Sequence, residues 1–196
     1  MNKCDSKKKI AVFASGNGSN AENIIRYFRS PEAVAEVALV VCNRTDAYVI
    51  TRARNLEVPV EVITRAQLND PGFFTSLLDR YGIDFIALAG FLLMIPSYLI
   101  HDYKDRIVNI HPSLLPKYGG KGMYGHHIHE AVVAARETET GITIHYVNEK
   151  CDEGDAVFQA SVPVLPEDTP GDVEAKIHHL EKQHFPRVIS ELISAR

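Results

Sequence analysis

Asn109 and His111 are two residues apart at the end of an apolar segment, in the stretch VNIHPSLLP that begins at Val108. If this segment is a β-strand, its side chains alternate, so Asn109 and His111 project from one face. The amide can donate a hydrogen bond, and the imidazole can exchange a proton near neutral pH. The pair suits acyl transfer, in which both groups hold the oxyanion of a tetrahedral intermediate. The alternative is a histidine that only completes a strand before a proline-rich turn.

A carboxylate would support such a histidine, and the segment NEKCDEGD at 148–155 supplies several. Its acidic residues are Glu149, Asp152, Glu153 and Asp155. One of them could orient and charge His111, as an acid does in other acyl-transfer sites. The spacing does not identify which one, and a solvated acidic hairpin loop is the alternative. The acids do not follow the spacing of an EF-hand calcium loop.

A glycine-containing loop, SGNGSN at 15–20, follows the first predicted strand and precedes the first predicted helix. Gly16 and Gly18 allow positive φ and close approach of a ligand, and the amides at the helix start carry partial positive charge. The loop lacks the third glycine of the dinucleotide fingerprint and the Gly-Lys-Ser/Thr of the ATP loop. It therefore predicts a site for a monophosphate. A tight turn without a ligand is the alternative.

Alternating strands and helices would place these groups. Apolar runs without clean alternation predict strands covered on both faces, at 10–14, 37–42, 85–89 and 106–110. Helical spacing falls between them, at 21–28, 47–56 and 71–82. Two later strands are predicted. Side chains alternate between the two faces at 141–147, and a second candidate strand at 156–162 follows the loop 148–155. The order predicts a doubly wound α/β fold with a mostly parallel sheet and antiparallel strands in the C-terminal half.

The last helix begins at TPGD, where Thr169 can cap, Pro170 takes the first helical position and Asp172 completes a capping box. Pro186 should kink this helix. Five other histidines cluster without metal-ligand spacing, so we interpret them mostly as helix-surface residues. They are His126, His127, His129, His178 and His179.

Composition favours a single globular domain, 1–196, that acts on small molecules. The chain is 45% hydrophobic and 23% charged, with a formal net charge of −4. This charge gives no reason to expect nucleic acid or membrane as a partner. Three scattered cysteines do not form a disulfide framework, and the start of the chain lacks the apolar run of a signal peptide. We therefore expect a cytoplasmic protein, as a monomer or homodimer.

These segments, in this order, resemble the glycinamide ribonucleotide formyltransferases of the formyltransferase superfamily. The matching parts are SGNGSN (15–20), ALAGFLLMIP (87–96), NIHPSLLPKYGG (109–120), GITIHYVNEKCDEGD (141–155) and Glu181. The resemblance implies a Rossmann-like transferase of one-carbon metabolism. Such an enzyme passes the formyl group of 10-formyltetrahydrofolate, a co-substrate, to the amine of glycinamide ribonucleotide during purine (IMP) biosynthesis, without a metal.

The resemblance also implies roles for individual residues. Asn109, His111 and Asp152 would be catalytic, with Asp152 keeping His111 protonated, and Glu181 would contact the glycyl end of the substrate. The residues implied for the substrate phosphate are Gly18, Ser19 and Asn20. Those implied for the folate are Leu92, Leu93, Met94, Ile95, Asn109, Asn148, Glu149, Lys150, Cys151 and Asp152. The N-terminal half would thus bind the ribonucleotide, and the C-terminal half the folate.

Two segments depart from the pattern of this family. Leu93 is apolar where many members have a basic residue, and GGKGMYGHHIH at 119–129 replaces the usual PGxHxH. Other folate enzymes are the nearest alternatives, among them a deformylase with water as acceptor, methionyl-tRNA formyltransferase and sugar-nucleotide formyltransferases. The first two have an additional domain for which we expect no room in this chain. A non-catalytic module that binds a phosphorylated ligand is a further alternative.

Overall fold

A computed structural model describes residues 7–120 and 122–196, which fold around a seven-stranded sheet. The strands are β1 Lys8–Phe13, β2 Ala35–Cys42, β3 Val60–Val62, β4 Phe85–Leu88, β5 Ile107–His111, β6 Glu139–Tyr146 and β7 Ala156–Pro163. The helices are α1 Ser19–Tyr27, α2 Val49–Asn55, α3 Arg65–Leu68, α4 Pro71–Tyr81, α5 Ser97–Asp102, α6 His126–Ala134 and α7 Pro170–Ser194.

The sheet has the order β3-β2-β1-β4-β5-β6-β7. The strands from β3 to β5 are parallel, whereas β6 pairs antiparallel with both β5 and β7. This confirms the predicted doubly wound fold with antiparallel strands in the C-terminal half. The chain reverses its direction of progress at β1, between β2 and β4. In open α/β sheets, ligands bind beside such a switch point, at the carboxyl ends of the strands.

Both faces of the sheet are covered, which explains why the central strands are apolar throughout. One face packs on α1, α2, α6 and α7, and the other on α3, α4 and α5. Along β1, Ile10 and Val12 belong to the first core, and Ala11 and Phe13 to the second. All four are fully buried. The carboxyl end of β1 is therefore held rigidly from both sides.

The last helix follows its sequence signals. Thr169 and Asp172 form the predicted capping box, with Pro170 at the first helical position. Helix α7 runs through Pro186 without a break. A proline donates no backbone hydrogen bond, so the carbonyl of Lys182, four residues earlier, loses its helical partner. The side chain of Asn23 in α1 donates to that carbonyl at 2.9 Å and replaces the missing bond.

Several short elements and one side-chain prediction differ from the sequence analysis. The predicted segments did not include β3, α3 or α5, because three to six residues are too few to show a period. His129 is buried rather than on a helix surface, at 2% exposure, because α6 packs against α7.

Cys42 and Cys151 are free thiols, whereas Cys4 and the rest of segment 1–6 lie outside the described residues. None of the helices in the described ranges combines the length and apolarity needed to cross a membrane.

Candidate active site

The carboxyl end of β5 presents Asn109 and His111 toward one face, as predicted. Val108 and Ile110 point the other way, into the core shared with α6 and α7. His111 is 4% exposed, and its Nε2 donates to the carbonyl oxygen of Tyr118 at 2.8 Å. Its Nδ1 lies 3.6 Å from Asp152 Oδ2. At this distance the pair is an ion contact and not a hydrogen bond, so Asp152 would stabilise an imidazolium while the Nδ1–H group stays available to another acceptor.

Asp152 is the carboxylate beside His111, which answers the question that the spacing of the acidic loop left open. Its Oδ2 accepts a hydrogen bond from the amide of Gly120 at 2.9 Å, and its side chain is 12% exposed. Glu153 instead pairs with Lys150 at 3.4 Å, on the solvent side of the loop. Asp152 has a φ of 58°, a left-handed conformation that turns the chain back toward β5.

His145 joins this group from the neighbouring strand. The antiparallel register places it directly opposite Asn109, so the two side chains leave the same face. Asn109 Nδ2 lies 3.1 Å from His145 Nε2, and His145 Nδ1 lies 2.9 Å from the carbonyl oxygen of Tyr146. Burial lowers the pKa of His145. The ring is therefore neutral at physiological pH, and it contacts the amide that the sequence analysis placed in the oxyanion site.

The glycine loop lies at the carboxyl end of β1, on the same edge of the sheet as His111. Gly18 caps α1 in the left-handed region, with a φ of 78°. A Cβ at Gly18 would lie 2.5 Å from the Val49 Cβ in α2, so only glycine fits. Arg52 of α2 donates to the backbone and side-chain oxygen atoms of Asn17, both at 2.9 Å. These contacts fix the loop so that the first amides of α1 remain free for an anion.

A cavity of about 320 Å³ opens at the start of α1, between α1, α2 and α7. Its wall includes Ser19, Asn20, Arg52 and Glu181. Glu181 is buried, and its Oε2 accepts a hydrogen bond from Asn20 Nδ2 at 2.9 Å. Burial raises the pKa of Glu181, and the bond from Asn20 opposes this in part. The structure thus places Glu181 beside the predicted phosphate loop, 161 residues away in sequence.

A family model described as formyl transferase matches residues 8–189, which is nearly the whole chain. The chain belongs to this family. Among curated relatives, it is 36% identical over 193 residues to phosphoribosylglycinamide formyltransferase from Haemophilus influenzae, across 96% of this chain and 89% of the relative. It is also 36% identical to the Bacillus subtilis protein of the same name, across 95% of both chains.

Solved structures of formyl transferase family members share the fold. Glycinamide ribonucleotide transformylase 1 from Symbiobacterium toebii matches with a TM-score of 0.88 and 30% identity, across 100% of this chain and 93% of that chain. The enzyme of the same name from Geobacillus kaustophilus has a TM-score of 0.84 and 38% identity, across 95% and 99%. A formyltetrahydrofolate deformylase from Pseudomonas syringae also has a TM-score of 0.84, but at 22% identity this shows the fold alone.

The segment that the formyl transferase resemblance assigns to folate forms an open apolar rim at the end of β4. Leu92 and Met94 are 51% and 59% exposed, unusually high for large apolar side chains, whereas Ile95 is buried. Leu93 packs partly against the second core. The hydroxyl of Ser15 accepts a hydrogen bond from the Leu92 amide at 2.9 Å. The rim is thus attached to the first residue of the glycine loop.

The 148–152 segment is ordered by its own hydrogen bonds. The side chain of Asn148 accepts from the Lys150 amide at 2.9 Å and donates to the Glu153 carbonyl at 3.0 Å. Cys151 is exposed, and its thiol lies 3.6 Å from Asp152 Oδ2. Partial desolvation by the surrounding loop and the neighbouring Asp152 carboxylate raise the pKa of the Cys151 thiol, so it is not activated as a thiolate.

The atypical 119–129 segment contributes to the site through its backbone. Gly120 donates its amide to Asp152, and a Cβ at Gly119 would lie 2.5 Å from Leu115 Cδ2. His126 and His127 of this segment instead pair with carboxylates of α6 and α7, as in the His126–Glu174 contact at 3.1 Å. Within the described ranges, which omit Lys121, no group of three or more His, Cys, Asp and Glu residues has metal-binding geometry.

Three contributors to the site escaped the sequence analysis. Arg52, which holds the glycine loop, lies in α2, and nothing in its spacing points to Asn17. Ser15 opens the quoted SGNGSN motif, but its link to Leu92 spans 77 residues. His145 lies in the strand predicted at 141–147, and the β5–β6 register is the signal that would have paired it with Asn109.

Proposed function

We propose that this chain transfers the formyl group of 10-formyltetrahydrofolate to the amine of glycinamide ribonucleotide. The convergence of Asn109, His111 and Asp152 at the end of β5 supports this proposal most directly. The glycine loop on the same edge of the sheet supports the phosphorylated acceptor. Relatives named phosphoribosylglycinamide formyltransferase that match nearly end to end agree with it.

Each substrate takes a part of this edge in the proposal. The phosphate lies against the amides of Gly18, Ser19 and Asn20, with Glu181 facing the rest of the ribonucleotide in the 320 Å³ cavity. The folate lies between the apolar rim of Leu92–Ile95 and the backbone at 148–152. The N-terminal half then mainly binds the ribonucleotide and the C-terminal half mainly the folate, within one domain.

The chemistry is a direct transfer between the two bound substrates. The neutral amine attacks the formyl carbon, and a new C–N bond forms while the carbonyl oxygen becomes an oxyanion. Asn109 Nδ2 and the Nδ1–H group of protonated His111, whose Nε2–H is bound to Tyr118, donate to that oxygen, and Asp152 stabilises the imidazolium. The bond from the formyl carbon to the folate nitrogen then breaks. The proton lost by the amine passes to that nitrogen, and we propose a water at Asp152 as its carrier.

Positioning supplies much of the rate in this scheme. Two reactants held in one cleft reach effective concentrations of about 10⁵ M or more. The scheme has no step that requires a metal ion. We also propose that the protein acts in the cytoplasm, as a monomer or homodimer.

A product assay with purified protein tests the transfer. With glycinamide ribonucleotide and 10-formyltetrahydrofolate, we expect formylated ribonucleotide and tetrahydrofolate in equal amounts. Asn109→Ala and His111→Ala should each lower kcat by about 10²–10³-fold, because each removes an oxyanion donor. His101→Ala is the matched control, since that side chain on α5 is 90% exposed.

Two outcomes would contradict the proposal. Formate released at the same rate with or without the ribonucleotide would make water the acceptor and the protein a deformylase. Folded Asn109→Ala and His111→Ala variants with wild-type kcat would remove both residues from the chemistry. Circular dichroism of each variant shows whether it is folded.

A further inference from the structure

The amide of Asn109 has two orientations of nearly equal shape, and only one of them suits the proposed chemistry. Exchange of Oδ1 and Nδ2 would replace a donor with an acceptor and turn stabilisation of an oxyanion into repulsion. Some neighbouring group must therefore favour one orientation. In the described part of the chain, the polar side-chain partner of Asn109 is His145, at 3.1 Å. That buried residue has no role in the transfer steps above.

The other ring nitrogen of His145 decides what Nε2 can do. His145 Nδ1 lies 2.9 Å from the carbonyl oxygen of Tyr146, which can only accept, so Nδ1 holds the hydrogen. In a neutral ring, Nε2 then has a lone pair and accepts from Asn109 Nδ2. Asp152 Oδ1 is 3.8 Å from Nε2, too far to compete as a hydrogen-bond partner.

The surroundings of His145 keep this arrangement in place. Its exposure is 3%. Burial lowers the pKa of His145 by more than the nearby carboxylate of Asp152 raises it, so the neutral ring is favoured. His111 is the other titratable group that faces His145. A positive charge on His111 also lowers the pKa of His145. Gly154 packs against the hydrogen bond between His145 Nδ1 and the Tyr146 carbonyl. A Cβ at Gly154 would lie 1.6 Å from the Tyr146 oxygen and 3.3 Å from His145 Nδ1.

We propose that His145 is a positioning residue that acts as a hydrogen-bond acceptor and fixes the orientation of the Asn109 amide. One hydrogen of Nδ2 is bound by His145 Nε2, and the other remains directed at the reacting oxygen. The inference rests on the proposed function, because Asn109 matters only if an oxyanion forms. It adds a role for the backbone carbonyl of Tyr146, which selects the tautomer of His145.

A double-mutant cycle in kcat tests whether His145 acts through Asn109. His145→Leu should lower kcat by about 10- to 10²-fold, as small displacements of a catalytic group do. In the Asn109→Ala background the same change should alter kcat by less than about twofold, because the residue that it positions is already absent. KM for the ribonucleotide should not change. His101→Leu, on the exposed face of α5, is the control for loss of a histidine.

A conservative variant and a spectrum separate this role from a structural one. The side-chain carbonyl of His145→Gln can reach the position of Nε2, so this variant should recover about tenfold in kcat over His145→Leu. Long-range ¹H–¹⁵N spectra of the wild-type protein should show His145 protonated at Nδ1 and bare at Nε2.

Each contrary result is distinct. Equal losses from His145→Leu in both backgrounds, or a ring protonated at Nε2, would overturn the inference and leave the formyl transfer standing. Wild-type kcat in His145→Leu would overturn it as well. Wild-type kcat in Asn109→Ala would instead overturn the proposed function. If His145→Leu does not fold, the cycle is run with His145→Met, which also lacks a strong acceptor, and the spectrum still decides the tautomer.

Discussion

At the scale of single residues, contacts with the backbone orient the side chains of this site. Asp152 adopts a left-handed conformation and receives the Gly120 amide, and His111 donates to the carbonyl of Tyr118. Both candidate catalytic side chains are thus oriented by backbone groups of the same loop, 118–120. Their orientation thus uses main-chain atoms of this loop and not its side chains.

The glycine loop allows a matched comparison at residue scale. Gly18→Ala should destabilise the protein by at least about 1–2 kcal/mol, the cost of a left-handed alanine, and the clash with Val49 adds to it. Because the loop must shift, KM for the ribonucleotide should rise while kcat at saturation changes little. Gly16→Ala is the control, since a Cβ at Gly16 has nothing within 4 Å and its φ needs no glycine. Equal KM values in the two variants would contradict the assigned role of Gly18.

The sequence identified the candidate residues of the site, but it did not predict which of them are in contact. Asn109 and His111 followed from strand alternation, which is local and obligatory. The choice of Asp152 among four acids came only from the resemblance, because a loop of eight residues can turn any of them inward. The contact of His145 with Asn109 required the pairing of two strands 36 residues apart in sequence. Register between strands is set by tertiary packing, which single-sequence patterns do not contain.

At the scale of elements, two amide side chains join α1 to α7 beside the cavity of about 320 Å³. Asn20 donates to Glu181, and Asn23, one helical turn later, donates to the carbonyl of Lys182. The second bond exists because Pro186 leaves that carbonyl without its helical donor. The proline that predicts a kink in the sequence therefore becomes a docking point for α1 in the structure.

A stability cycle tests this compensation. Asn23→Ala should lower the free energy of unfolding by about 1 kcal/mol, because the Lys182 carbonyl loses its partner. In a Pro186→Ala background, the new backbone N–H can bond to that carbonyl, so Asn23→Ala should then cost much less. Urea denaturation of the four proteins measures the coupling. Additive losses would show that Asn23 does not replace the missing helical bond.

Most long elements could be predicted from sequence, and the short ones could not. The signals of α7, with Thr169 as cap and Pro170 at its start, and the apolar runs of β1, β2 and β4 are local and strong. In contrast, β3 has three residues, and its pairing with β2 alone makes it a strand. Boundaries moved by one or two residues, as at β5, which extends to His111.

At the scale of the whole molecule, coverage of both sheet faces places several titratable groups in the interior. His129 in α6 is an example, since packing of α6 against α7 buries it and leaves Nδ1 without a partner among the described residues. Burial lowers the pKa of His129 below its ordinary value of 6.5, against the opposing effect of Glu174. The nearby rings of His126 and His178 lower it further. This histidine makes the stability of the entire domain depend on pH.

The sign of that dependence follows from proton linkage. As pH falls below 6.5, the unfolded chain binds a proton at this position before the folded chain does, so the free energy of unfolding decreases. The contribution is complete above pH 6.5 and is lost as pH falls toward the folded pKa, with a slope of at most about 1.4 kcal/mol per pH unit. His145, which is also buried and has a lowered pKa, adds a term of the same sign.

Replacement of His129 should therefore flatten the acid side of the stability profile. Denaturant unfolding of His129→Leu between pH 8 and pH 5 should show a smaller loss below pH 6.5 than the wild type, because the buried ring of His129 no longer titrates. At pH 8 the variant should be no less stable, since the unpartnered Nδ1 forms no hydrogen bond to lose. His127→Leu, on the same helix with a 65% exposed side chain, should retain the wild-type slope. Identical slopes in His129→Leu and His127→Leu would show that acid stability is set elsewhere in the fold.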